Sequence, residues 1–123
     1  MLKLDHLSIA VRDWRRSRDW YVGVLGMRVE FENADAGVVA LQDDGDLTLF
    51  LGEGQLAAGE LPCALTFQVD DVEALHAALA ARGIAFQSRP AKLFWGYGAE
   101  LRDPDGYVVR LWDERTMREK GRG

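Results

Sequence analysis

Apolar and polar positions along the chain alternate in strand fashion, switch to helical spacing, and then repeat the whole sequence of patterns a second time. In residues 4–11 (LDHLSIAV), Leu7, Ile9 and Val11 share one side of an extended strand, and His6, Ser8 and Ala10 share the other. Asp13 is a helix N-cap residue. Ser17, Trp20, Tyr21, Val24 and Leu25 follow at helical spacing, and Gly26 closes that helix. Strands are predicted over residues 27–31, 37–42 and 46–51, separated by the turn residues of 33–37 and by Asp43-Asp44-Gly45.

After the glycine-rich segment 52–62 the pattern restarts. Residues 63–69 (CALTFQV) place Leu65, Phe67 and Val69 on one face and Ala64, Thr66 and Gln68 on the other. Asp70-Asp71 caps a second helix, with Glu73 completing a capping box to Asp70. Val72, Leu75 and Leu79 form its apolar stripe, and Gly83 ends it. A strand over 84–88 and a closing hairpin over 94–112 complete the second half. The hairpin turns at Asp103-Pro104-Asp105-Gly106, where proline pre-sets φ and glycine accepts positive φ. Its return arm puts Val108, Arg110 and Trp112 together on one face.

The fold class is therefore α+β: two βαβββ modules, each a small sheet with one helix across it. The expected organisation is one domain of 123 residues, with module one at 2–51, a linker at 52–62, module two at 63–113 and a tail at 114–123. In both modules the apolar set of the first strand faces the helix. The opposite, concave faces are left to enclose a cavity. Its expected lining includes His6, Ser8, Leu47, Leu49, Leu51, Thr66, Gln68, Arg110 and Trp112, with Trp95 and Tyr97 from the first arm of the closing hairpin.

Composition narrows the function classes. A hydrophobic content of 48% suits a packed interior. Net charge is −5, and the tail is +2, leaving an acidic body of −7. An acidic body argues against nucleic-acid partners. The tail reads as a frayed, solvated end. The single cysteine, Cys63, forms no internal disulfide. With no signal-peptide pattern and no apolar run of membrane-spanning length, the expectation is a cytoplasmic protein with no membrane partner.

The opening LDHLSIAV, the helix end VGVLGM, the segment FQVDDVEAL and the closing WGYGAELRDPDGYVVRLWD resemble the vicinal oxygen chelate superfamily, which includes glyoxalase I, bleomycin-resistance proteins and extradiol dioxygenases. The resemblance spans residues 2–113 and implies a glyoxalase or bleomycin-resistance protein fold, usually a homodimer. It also implies, for the enzymes, a divalent metal held in the concave cavity, by four ligands in glyoxalase I-like members and by two histidines and a carboxylate in dioxygenase-like members.

Carried onto this chain through its repeat, the family's metal positions fall on His6, Leu49, Ala64 and Arg110. One ligand of four survives, whereas stable sites use three or four protein ligands. The Arg110 guanidinium stays charged at any working pH. At about 4 Å from a divalent ion, with an effective dielectric near ~20, it would repel the ion by on the order of 8 kcal/mol. Shifting the register by one offers Thr48, Phe50, Cys63, Leu65, Val109 and Leu111, which together hold one soft ligand. His76, the second histidine, reads as a surface residue of the second helix. No metal cofactor is expected.

Three functions compete on this reading. The preferred one is metal-free binding of a small planar or anionic organic molecule, of a sequestration or resistance type. The first alternative is a divalent-metal glyoxalase-like lyase or isomerase, or a dioxygenase. The second is a metal-independent enzyme with His6 as general base and Arg110 stabilising an oxyanion; His6 and Arg110 are the candidate catalytic residues. The ligand-binding candidates are His6, Leu49, Thr66, Gln68, Trp95, Tyr97, Arg110 and Trp112. Two readings of Arg110 stay open, a ligand-facing cation or half of a structural ion pair with Glu100. Residues 89–94 are the candidate lid.

Overall fold

A computed structural model describes residues 1, 5–54 and 63–121. The chain divides into two compact units, Met1–Gly59 and Glu60–Gly123. The predicted linker falls partly on residues 55–62, outside the described residues; its first two residues, Gly52 and Glu53, end a strand.

The first unit runs β1 (His6–Val11), α1 (Trp14–Leu25), β2 (Arg28–Asn33), β3 (Val38–Gln42) and β4 (Thr48–Glu53). Its sheet has the order β1-β4-β3-β2, with β1 parallel to β4 and the other pairs antiparallel. The second unit runs β5 (Ala64–Gln68), α2 (Val72–Ala81), β6 (Ser88–Leu93), β7 (Gly96–Arg102), β8 (Val108–Trp112) and α3 (Glu114–Lys120). Its sheet order is β5-β8-β7-β6, again with the outer pair β5 and β8 parallel. The repeat seen in the sequence is thus a repeat of topology, and the α+β class of paired βαβββ modules stands.

Alternation decides which side of each sheet meets a helix. In the first unit Ile9, Val11, Leu49 and Leu51 are buried. They alternate along the parallel strands β1 and β4, where Ile9 pairs with Leu51, Leu49 with the more exposed Leu7, and Val11 with Glu53. The α1 stripe that covers them is Trp14, Ser17 and Tyr21. Trp14 at the first helical position carries the burial expected of Trp20, which is half-exposed. Arg15 and Arg18 stack on the Trp14 ring at 4.4 and 5.2 Å, a cation–π arrangement that shields its outer face. Asp13 caps α1 by accepting from the Arg15 and Arg16 amides at 3.1 and 3.2 Å. Gly26 closes it at φ 75°, a left-handed conformation that side chains disfavour.

Within α1, Gly23 has open space where a Cβ would stand and is half of no turn. Gly23→Ala is expected to stabilise the protein by about 0.5–1 kcal/mol, since alanine loses less backbone entropy in a helix. A chemical-denaturation midpoint that fails to rise would contradict this.

In the second unit Leu65, Val72, Leu79, Ala99, Leu101, Val109 and Leu111 form the helix-side core. The α2 N-cap is Asp71, whose side chain accepts from the Ala74 amide at 3.0 Å. The expected capping box between Asp70 and Glu73 does not form, because capping one residue later places Glu73 at the second helical position, facing β7. The predicted strand at 84–88 is also displaced. β6 occupies Ser88–Leu93, so the candidate lid is an edge strand paired to β7, with an irregularity between Ser88 and Ala91. Pro90 and the charges of Arg89 and Lys92 suit an edge strand while hiding its alternation.

The tail is not frayed through residue 120. It forms α3, and Asp113 explains why. Asp113 is 1% exposed. Its Oδ1 accepts from the Thr116 amide at 2.6 Å and the Thr116 hydroxyl at 2.8 Å. Its Oδ2 accepts from the Val72 amide at 2.7 Å, at the start of α2. One carboxylate therefore satisfies the N-termini of two helices. Burial alone would raise its pKa, but these hydrogen bonds outweigh burial and hold it below the usual carboxylate range. Among the described residues no helix is long and apolar enough to cross a membrane.

Candidate functional site

The face of the second sheet turned from α2 is built from alternate residues of four strands. Register places Thr66 of β5 beside Arg110 of β8, Arg110 beside Glu100 of β7, and Glu100 beside Ser88 of β6. These four form one row across the sheet. In the next row Gln68 pairs with Trp112, and Ala91 pairs with Gly98.

Arg110 and Glu100 form an ion pair, Nε donating to Oε1 at 3.1 Å, with 22% and 20% of their side chains exposed. The same Oε1 accepts from the Trp95 indole Nε1 at 2.8 Å. The Arg110 guanidinium carbon lies 5.1 Å from the Phe94 ring centre and 5.7 Å from that of Trp95. Phe94 and Trp95 are the two turn residues of the β6–β7 hairpin, since Leu93 pairs directly with Gly96. The hairpin tip thus brings two aromatic rings to the guanidinium. Trp95 lies over Gly98, where any Cβ would strike both the ring tip and the Leu111 carbonyl oxygen. Glycine at 98 is what lets the indole lie against the sheet. Of the two readings of Arg110, the ion pair with Glu100 exists. Among the described residues no protein group bonds the terminal guanidinium nitrogens.

Trp112 lies on the same face. It lines a groove of about 290 Å³ with Glu114, Met117, Arg118 and Gly121, residues spaced along one side of α3. Tyr97 does not lie on this face. Its parity on β7 is that of Ala99 and Leu101, and its hydroxyl donates to Glu73 Oε1 of α2 at 2.9 Å. Lys120 of α3 donates to the same oxygen at 2.8 Å and stands 5.2 Å from the Tyr97 ring centre. Burial and then the Glu73 carboxylate push the Tyr97 phenol up, while the Lys120 and Tyr97 hydrogen bonds hold Glu73 down. This cluster ties α2 and α3 to β7 and puts Tyr97 on the helix side, not in the cavity lining expected from the sequence.

In the first unit, Leu49 is likewise on the helix side, 5% exposed. Leu51, another expected lining residue, is fully buried there. The residue at the position of Arg110 is Phe50, because Ser8 pairs with Phe50 as Thr66 pairs with Arg110. His6 stands half-exposed on this open face. Its ring meets Phe50 edge-on at 5.0 Å, Phe50 meets Phe31 at 5.7 Å, and Nδ1 lies 3.2 Å from Asp5 Oδ2. His76 packs edge-on against Phe86 at 4.6 Å and is partly exposed on α2.

The family's metal positions therefore read His6, Phe50, Ala64 and Arg110 once register is taken from the sheets. A divalent ion does not fit this set. Phenyl and methyl groups donate nothing, and Arg110 brings a positive charge already bound to the nearest carboxylate. Among the described residues no group of three or more histidine, cysteine, aspartate or glutamate side chains comes together to hold a metal.

Residues 3–111 match the Glyoxalase/Bleomycin resistance protein/Dioxygenase superfamily. No curated protein matches the chain. Among solved structures, the antibiotic binding protein TnmS3 from Streptomyces sp. CB03234 aligns at TM-score 0.74 and 26% identity, over 92% of this chain and 96% of that one. A superfamily member from Sphaerobacter thermophilus aligns at TM-score 0.75 and 23% identity, over 93% and 98%. Lactoylglutathione lyase from Agrobacterium tumefaciens aligns at TM-score 0.72 and 17% identity, over 92% and 94%. The last two likenesses are of fold alone.

Proposed function

The chain belongs to the Glyoxalase/Bleomycin resistance protein/Dioxygenase superfamily, and from that premise we propose that it binds a small planar organic molecule on the open face of its second unit, without a metal ion, as a sequestering or resistance protein. The observation that carries this reading is the constellation at the β6–β7 hairpin. A guanidinium fixed through one nitrogen and two adjacent aromatic rings, one of them the glycine-floored Trp95 indole, form a surface for a flat ring with a polar edge. The described likeness to an antibiotic binding protein supports the same class of function. The lyase reading would require donors that positions 50, 64 and 110 do not supply.

The test is a tryptophan-fluorescence titration in EDTA with two flat probes, 2-naphthamide and 2-naphthoate. Saturable quenching by at least one is expected. Arg110→Ala should raise that probe's Kd by roughly 10-fold or more, the effect of losing a hydrogen bond to a charged group. Absence of binding by both probes, or an unchanged Kd in Arg110→Ala, would overturn the reading.

A further inference from the structure

The Arg110 guanidinium is charge-compensated, and that bears on which ligands the site takes. Its Nε is bound to Glu100 at 3.1 Å, and four-fifths of each side chain is out of water. Arg102, on the same side of β7 as Glu100, donates to the Gly106 carbonyl at 2.9 Å, at the β7–β8 turn. A carboxylate approaching Arg110 would therefore meet the Glu100 carboxylate beside it, and repulsion would offset much of the attraction.

The hydrogen-bonding groups left over point the same way. Glu100 Oε1 already accepts two bonds, from Trp95 and Arg110. Its Oε2 has no protein donor among the described residues. Ser88, directly across from Glu100 on β6, has a buried hydroxyl oxygen with no hydrogen-bond partner. A buried polar atom without a partner is uncommon and costs stability unless something supplies the bond. The site thus presents free donors on Arg110 next to a free acceptor on Glu100, with the Phe94 and Trp95 rings alongside.

We infer that this site selects uncharged planar ligands that carry a hydrogen-bond acceptor and a donor on the same edge, such as an aromatic carboxamide or a hydroxy-carbonyl, and discriminates against aromatic carboxylates. This rests on the proposed binding role and specifies its ligand class. The ligand carbonyl accepts from Arg110, and its N–H or O–H donates to Glu100 Oε2. An anion lacks the donor, so it leaves Glu100 Oε2 unsatisfied and sets its own negative charge beside that carboxylate.

The probes 2-naphthamide and 2-naphthoate share one ring system and differ at the polar edge, so their ratio isolates this effect. By isothermal titration at pH 7 in EDTA, wild-type protein should bind 2-naphthamide at least ~10-fold more tightly than 2-naphthoate, equivalent to about 1.4 kcal/mol. In Glu100→Gln, whose amide oxygen still accepts from Trp95, the ratio should collapse or invert as naphthoate gains. Equal or tighter naphthoate binding by the wild type overturns the inference while leaving the binding role intact. So does a ratio that stays the same in a Glu100→Gln protein whose melting curve shows it folded. Failure of both probes to bind overturns both. The wild-type comparison decides without any variant.

Discussion

Asp113→Ala is expected to lower the unfolding free energy by about 3–5 kcal/mol. The α3 N-terminus loses its cap, and α2, still capped by Asp71, loses the acceptor of its first amide, so the Val72 amide and the Thr116 amide and hydroxyl are left without their partner. Unsatisfied buried groups cost about 1–3 kcal/mol each. Against a typical total of about 5–15 kcal/mol this threatens folding outright. Urea unfolding followed by fluorescence gives the number, and a change below about 1 kcal/mol would show that the two helices do not depend on this carboxylate.

The same residue sets an acid limit. Its folded pKa lies below the unfolded carboxylate value of about 3.9. The charged form therefore stabilises the fold fully above that pH, and the contribution is lost as pH falls through the depressed folded pKa. Asp113→Asn should flatten the acid limb of the stability–pH curve. An acid limb identical to that of the wild type would contradict the assignment.

Gly98→Ala is expected to cost about 2–3 kcal/mol, and more if β7 and β8 separate, since overpacking without room to relax has this scale. The added Cβ would strike the backbone carbonyl of Leu111, which cannot swing aside, as well as the Trp95 ring. Either the strand pair shifts or the indole leaves the sheet and loses its bond to Glu100. Near-ultraviolet circular dichroism and the melting temperature report both outcomes. Retention of both wild-type signals would mean that Trp95 does not lie over Gly98.

The repeat, the strand faces of β5 and β8 and the hairpin turn were legible in the sequence because alternation, caps and turn residues agree there. The turn behaves as its residues dictate: Asp103 Oδ1 accepts from the Asp105 and Tyr107 amides at 2.9 and 2.8 Å, and Gly106 sits at φ 97°. Leu49 was misplaced for a definable reason. β8 begins two residues after Gly106, but β4 begins three residues after Gly45. Counting the same offset in both halves slips the register by one and flips the face. Edge strand β6 was hidden because its polar and proline residues are what an edge needs. Helix α3 was missed because its anchors are a buried aspartate and the Met117 thioether, whose sulfur accepts from the Tyr97 amide at 3.3 Å. Neither produces an apolar period. The pairing of Arg110 with Glu100 was foreseen as one of two readings, since facing charges on adjacent strands attract. The sequence alone left open that the pair also holds Trp95.

The most direct measurement is an NMR titration of nitrogen-15-labelled protein with 2-naphthamide in EDTA, following the Trp95 indole N–H and the Arg110 Nε–H. Saturable shifts of both signals at one common Kd, with no metal present, are the predicted result. Signals that stay fixed, or that move only after zinc or nickel is added, would contradict a metal-free planar-ligand site at this hairpin.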